Sequence, residues 1–314
     1  MTDTGPLFVS SGDLIADRRY QWALDHAARR DLAGAADILM QALELAPTFA
    51  AAWFTLGTIR DRLGDRRSAV AAFERTCAAD PEDCHGARLQ LARLGSPDAT
   101  PAMSESYVRR LFDQYAARYD AALTDHLAYR GPAILLEAVE TVTRAAGRPM
   151  RFDSALDLGC GTGLGCAVFR RFVDRLVGVD LSPAMIAQAS AKGLYDRLAV
   201  TDLGMFLAGE AADKERYQLV LAADVFVYVN DLVPIVAKIK RILAPDGLTA
   251  FTVETHSGDG VILLPTLRYA HGETYVRNTL EDAGLTIACL SRVAVRTEQR
   301  VPVDSLIVVG SPRP

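Results

Sequence analysis

No stretch of the chain concentrates positive charge. Lysine and arginine number 34 against 39 acidic residues, a net charge of −5. Sequence-independent nucleic-acid binding needs a basic surface, so nucleic acid is not an expected partner. Cysteine is scarce. Cys77, Cys84, Cys160, Cys166 and Cys289 show no metal-ligand spacing, so no metal site is expected. Their odd number points to free thiols in a reducing, cytoplasmic setting rather than a disulfide framework. No apolar run is long enough to span a bilayer, which excludes a membrane span. The opening MTDTGPLFVSSGD lacks the basic-then-apolar pattern of a secretory leader, so none is expected. The G-K-[ST] of a phosphate-binding P-loop is also missing: the glycine-rich stretch reads GTGLGC. Apolar residues, by contrast, are plentiful. Half of the 314 residues are hydrophobic, enough for a core, and the length suggests two domains.

Residues 1–19 are expected to form a flexible N-terminus. Residues 20–95 carry no strand-like runs and many alanines, which predicts helices. From Trp53 the chain reads WFTLGTIRDRLGDRRSAVAAFERTCAADP. Trp53, Leu56, Gly57, Gly64, Ala69, Phe73 and Pro81 sit where a tetratricopeptide (TPR) repeat places its packing residues. The 34-residue period of that family puts Ala35 opposite Ala69, Leu39 opposite Phe73 and Pro47 opposite Pro81. Small residues let antiparallel helices approach, large ones fill the gap, and proline ends the second helix. The segment resembles two TPR units and a capping helix. So short a stack serves either a protein partner or packing within the molecule. Residues 96–104, around GSPDATPAMS, have a linker composition. Residues 105–150 read as a helical connecting segment with tyrosines near helical spacing, followed by a second apolar helix.

Over residues 151–314, strand-length apolar runs alternate with helical stretches. Five such strands imply a parallel, doubly wound sheet covered on both faces. The last two, LTIACLSRVAVR and VDSLIVVG, are joined by a short polar turn and predict an antiparallel hairpin. The expected fold is therefore α/β: a Rossmann-like doubly wound seven-stranded sheet with a C-terminal antiparallel hairpin, preceded by an all-α TPR-like domain.

LDLGCGTG (Leu156–Gly163) ends the first of these strands. Glycines at that turn let backbone approach a ligand beside a helix N-terminus. The pattern is D-x-G-x-G-x-G, and Asp157 before the glycines can accept a hydrogen bond from a cationic group. Asp180 ends the second strand, where a carboxylate can accept from both ribose hydroxyls. Asp202, in TDL after the third strand, is placed to accept from an adenine amino group, with the Leu203 backbone nearby. A carboxylate before the glycines suits a ligand with a positive amino group and no phosphate. S-adenosylmethionine (SAM) has that character.

On these motifs residues 151–314 resemble a class I SAM-dependent methyltransferase. LDLGCGTG is similar to that family's first motif almost letter for letter, VGVDLSPAMI to its second, and APDGL before the fifth strand is a frequent feature. FDQYAARYD resembles the lid helix that covers the methionine end of the cofactor. The whole arrangement resembles bacterial TPR-containing methyltransferases. The resemblance implies that Gly159, Cys160 and Gly161 hold the methionine end, that Asp180 and Leu181 hold the ribose, and that Met185 lies beside the adenine. It also implies that Ala222, ending the fourth strand, faces the cofactor with Asp224 two residues on, and that the lid brings Tyr107 and Tyr115 near it.

Methyl transfer is an in-line displacement, so the protein mainly aligns a nucleophile and excludes water. A hydroxyl nucleophile gains from a general base. His256, His271 and the lid residue Tyr119 are the catalytic candidates, each histidine having a structural role as its alternative. Arg130 and Arg268 bind an acidic substrate or pair with surface carboxylates. The fourth strand leads into ADVFVYV rather than an NPPY-like tetrapeptide, which argues against amide or base nitrogens as acceptors. The expected function is transfer to an O, S or N nucleophile of a small molecule. The alternatives are a protein methyltransferase that recruits its substrate through the TPR repeats and a non-catalytic cofactor- or partner-binding protein.

Overall fold

The computed structural model describes residues 9–96, 103–121, 129–298 and 301–313. Two compact units divide the chain, Met1–Tyr107 and Val108–Pro314. Most of the expected linker lies outside the described residues.

The first unit holds helices α1 (Leu14–Ala28), α2 (Leu32–Leu45), α3 (Ala50–Arg62), α4 (Arg66–Ala79) and α5 (Ala87–Arg93). The first begins at Leu14, ahead of the boundary at residue 20, because the Asp13 carboxylate accepts from Ile15 N and Ala16 N and caps it. Asp31 and Asp65 cap α2 and α4 through Gly34 N and Ser68 N, at positions 34 apart. Ala35, Ala69, Leu39 and Phe73 are all fully buried. Gly57 is needed for close approach: a Cβ there would lie 2.7 Å from the Phe73 ring. Helix α6 (Glu105–Tyr115) runs across the boundary between the units.

In the second unit, a 3-10 turn (Ala116–Arg118), a short α7 (Tyr119–Ala121) and α8 (Gly131–Ala145) precede the sheet. Strands β1 (Phe152–Leu158), β2 (Val173–Asp180), β3 (Arg197–Val200), β4 (Tyr217–Ala222) and β5 (Leu243–Glu254) lie in the order β3-β2-β1-β4-β5, all parallel. β8 (Leu285–Glu298) and β9 (Val301–Pro312) form the antiparallel hairpin, with β9 paired to β5. Among the described residues the sheet has nine strands rather than seven. The two extra ones, β6 (Val261–Leu263) and β7 (Tyr269–His271), lie in the segment between β5 and α13. Glu254 pairs with Ser305 of β9 on one edge and with Ala270 of β7 on the other, so β7 continues the edge where β4 ends.

Helices α9 (Leu164–Ala167), α10 (Pro183–Ala191), α11 (Leu203–Ala212), α12 (Val233–Ile242) and α13 (Glu273–Asp282) complete the unit. One face of the sheet packs on Leu135 and Val139 of α8, and the other on Phe206, Val236, Ile239, Val276 and Leu280 of α11, α12 and α13. Burial on both faces explains the continuous apolar strands. It also forces function to the strand ends, where the chain leaves the core.

Candidate active site

The carboxyl ends of β1 and β4 border a narrow recess of about 30 Å³, lined among others by Tyr119, Tyr129, Asp157, Gly161, Thr162 and Ala223. The glycine turn forms its floor. Gly159 and Gly161 have φ of 62° and 52°, conformations that L side chains rarely adopt. A Cβ at Gly159 would lie 2.6 Å from Val225, whereas among the described residues one at Gly161 would meet only Tyr119, at 3.9 Å. The turn is pinned by Cys160 N, which donates to Val179 O at 3.0 Å. Gly159→Ala combines a clash with about 1–2 kcal/mol of left-handed strain. We expect it to cut cofactor affinity at least about tenfold while circular dichroism still reports a folded protein.

Asp157 is buried, 2 % exposed. Both Cys166 Sγ (3.0 Å) and Tyr195 Oη (2.7 Å) donate to its Oδ2. Among the described residues nothing donates to Oδ1, and the residue lines the recess. Burial pushes the carboxyl up to about 6, against the opposing hydrogen bonds from Cys166 and Tyr195. A cationic group placed on Oδ1 would reverse that shift. Asp180 accepts from Gly161 N at 2.9 Å through Oδ2 and from Ser182 N at 2.8 Å through Oδ1. A carboxylate offers about four lone-pair sites, so acceptor capacity remains for a ribose hydroxyl. Burial raises its carboxyl too, opposed by the backbone bonds from Ser182, Gly161 and Leu181.

Two carboxylates of the connecting segment tie it to the glycine turn and to α10. Asp113 accepts from Ser182 Oγ at 2.5 Å and Ala184 N at 3.3 Å, so α6 is fastened to the start of α10. Asp120 accepts from Thr162 Oγ1 and pairs with Lys192 Nζ at 2.5 Å. Tyr119 then stands beside Gly161, with Phe112 edge-on to its ring.

Several other expected site residues lie away from the recess. Tyr107 belongs to the first unit, where its ring fills the space a Cβ would take at Gly86. Tyr115 is 43 % exposed, with Arg118 over its ring. The helix ends at Tyr115 and a 3-10 turn follows, so the helical face that should have carried three tyrosines breaks before Tyr119. Ala222 points into the core beneath α12, and its neighbour Ala223 takes the place on the recess wall. Cys160 lines the recess with its thiol pushed well up by burial, and Met185 is fully buried in the first turn of α10. Asp202 Oδ1 accepts from Met205 N at 2.9 Å and caps α11, which leaves Oδ2 for an adenine amino group; Leu203 packs against the core.

Neither histidine is poised as a base. His256 Nδ1 accepts from Gly258 N at 3.1 Å, so Nε2 carries the proton and donates to Gly260 O at 3.2 Å. Its lone pair is spent within its own loop. His271 is fully buried in β7, its Nε2 3.0 Å from Val229 O and its ring stacked on Tyr275. Burial lowers it to about 4, so it is neutral at physiological pH. Tyr119 is pushed well up, first by burial and then by the charges of its neighbours, so it stays a protonated wall residue. Arg130 is exposed and precedes α8. Arg268 is held by Glu254 at 3.6 Å and Glu298 at 3.4 Å, which satisfies its charge internally.

Sequence reading missed a buried ionic cluster beside the recess. Arg296 of β8, 2 % exposed, binds Asp224 through Nη1 and Glu254 through Nη2. Tyr129, on the recess wall, also carried no sequence signal.

The residues fit SAM: an acceptor oxygen of Asp157 waits for an ammonium, lone pairs of Asp180 wait for hydroxyls, and the turn at Gly161 is open. The methyltransferase domain family matches residues 156–251, and the chain belongs to the class I SAM-dependent methyltransferases, with SAM as its cofactor. Among its relatives, human methyltransferase-like protein 27 is 30 % identical over 224 residues, 70 % of this chain and 80 % of that protein. The ubiquinone biosynthesis O-methyltransferase of Bradyrhizobium sp. (strain ORS 278) is 34 % identical over 93 residues, 30 % of this chain and 36 % of its own length. The 1,6-didemethyltoxoflavin-N1-methyltransferase of Burkholderia thailandensis shares the fold, with a TM-score of 0.51 at 22 % identity over 69 % of this chain and 93 % of that one.

Proposed function

We propose that this methyltransferase transfers the methyl group of SAM to an O, N or S nucleophile of a small molecule. One observation carries the reading: Asp113 and Asp120 fasten the lid segment to α10 and to the glycine turn, which holds Tyr119 on the wall of the recess. A small acceptor fits such a recess better than a protein surface does. When bound, SAM supplies an electrophilic methyl on a sulfonium. In this reading Asp157 holds the ammonium, the backbone at Gly159–Gly161 the methionine end, Asp180 the ribose, and Asp202 with Leu203 the adenine. Tyr119 and Tyr129 exclude water and orient the acceptor.

The helical unit is read as a short TPR-like stack, supported by caps and buried packing positions that recur at 34 residues. A protein partner there is compatible with catalysis on a small molecule. The cysteine spacing shows no disulfide framework, which suits a cytoplasmic setting. The test is transfer of labelled methyl by the full-length protein into a cell extract divided into small-molecule and protein fractions. Label is expected in the small-molecule fraction. Label confined to protein would favour recruitment through the helical unit. His256→Ala is expected to keep turnover within a few-fold in this assay, since loss of a general base would cost about 100-fold or more.

A further inference from the structure

We propose that Asp224 is the residue that receives the acceptor, and that the acceptor is an aromatic ring bearing an O–H or N–H group. This rests on the methyltransferase reading above and names the substrate class for it. Asp224 lies one residue beyond Ala223 on the recess wall, past the end of β4. Its φ is 61°, a strained choice for a residue with a side chain. Two contacts hold it there: Asp224 N donates to Thr252 Oγ1 at 2.8 Å, and Arg296 Nη1 donates to Oδ1. Among the described residues Oδ2 accepts nothing, and the side chain keeps 15 % of its exposure.

Arg296 is the unexpected part. A guanidinium this deeply buried is costly unless it is paired, and its Nε has no partner among the described residues. Its two occupied nitrogens go to Asp224 and Glu254, and Glu254 also meets Arg268. The arginines are therefore neutralised by carboxylates and offer little to an anionic acceptor. The free acceptor atom is instead Oδ2 of Asp224. It suits a donor.

The surroundings are aromatic. Phe112 stands edge-on to both Tyr119 and Tyr228, with ring centroids 6.1 and 5.2 Å away. Tyr119 and Tyr129 line the recess and feel the charges of Asp224 and Arg296. Rings of this kind favour offset or edge packing with another ring. In transfer to such an acceptor the new C–O or C–N bond forms as the methyl–sulfur bond breaks. The sulfur keeps the electron pair of the broken bond. The acceptor's O–H or N–H proton passes to Asp224 Oδ2 and from there to solvent.

The experiment loads the full-length protein with S-adenosylhomocysteine and follows binding of phenol, aniline and benzoate by ligand-observed NMR. Homocysteine-nucleoside binding is measured first, by calorimetry, so failure of the cofactor reading shows at that step and is distinct. Phenol or aniline is expected to bind and benzoate to bind more weakly. In Asp224→Asn the amide carbonyl can keep the bond to Arg296 while an NH2 replaces Oδ2. That variant should lose about tenfold or more in affinity for the donor probe while keeping its affinity for S-adenosylhomocysteine. Arg296→Lys, a positioning variant, should reduce probe affinity less. Preference for benzoate, no binding by either donor probe, or unchanged probe affinity in Asp224→Asn would overturn the proposal.

Discussion

Asp157→Asn is expected to weaken SAM binding at neutral pH by about ten- to a hundredfold, the worth of one hydrogen bond to a charged group. The same change should make the cofactor-free protein more heat-stable. The two effects share a cause. Burial raises this carboxyl from 3.8 to about 6, so holding it ionised at neutral pH costs the folded state on the order of 1–3 kcal/mol. Its folded value lies above its unfolded one. The folded state therefore binds the extra proton between about pH 4 and 6, and stability from this group falls as pH rises through that window. An ammonium needs the charged form. Affinity for SAM should consequently fall about tenfold per pH unit below about 6, with one proton released on binding. Calorimetry in buffers of different ionisation heat reads both quantities. A flat profile in the unmodified protein would remove Asp157 from the site, and Asp157→Asn is expected to be flat.

Asp180→Ala should have an effect of similar size through a different route. It removes the acceptor for two backbone donors, Gly161 N and Ser182 N, as well as the lone pairs assigned to the ribose. Losing one to two hydrogen bonds predicts about 1–3 kcal/mol in cofactor binding, with a lower melting temperature because the glycine turn loses its tether. Asp202→Ala is the contrast. Its carboxylate caps α11, so about 1 kcal/mol of stability should go, with a smaller change in affinity. Equal losses of affinity in the two variants would contradict the division of labour between them.

The turn after β1 was legible because it is local. Asp157, the glycines and Asp180 fall on one β-turn-α-β unit, and their spacing reflects strand ends that a parallel sheet brings side by side. The ionic cluster around Arg296 was not legible. Arg296 meets Asp224 across 72 positions and Glu254 across 42, on strands whose pairing no spacing reveals. The short strands β6 and β7 have three residues each, too few for an alternation to show. At the end of β4 a one-residue difference in which side chain faces the recess separates Ala222 from Ala223, and one-residue parity there is set by tertiary packing. Helical spacing grouped Tyr107, Tyr115 and Tyr119, but the 3-10 turn after Tyr115 broke the face. For His256 the decisive fact is a loop of five residues in which both ring nitrogens are used, a geometry that residue type alone does not disclose.

The most direct measurement is calorimetric titration of the full-length protein with SAM and then with S-adenosylhomocysteine, beside Asp180→Ala. Saturable one-to-one binding of both compounds, weakened in the variant, is the predicted result. A folded protein that takes up neither compound, or a variant that binds both as tightly as the unmodified chain, would contradict the assignment of the β1–β2 cradle to SAM.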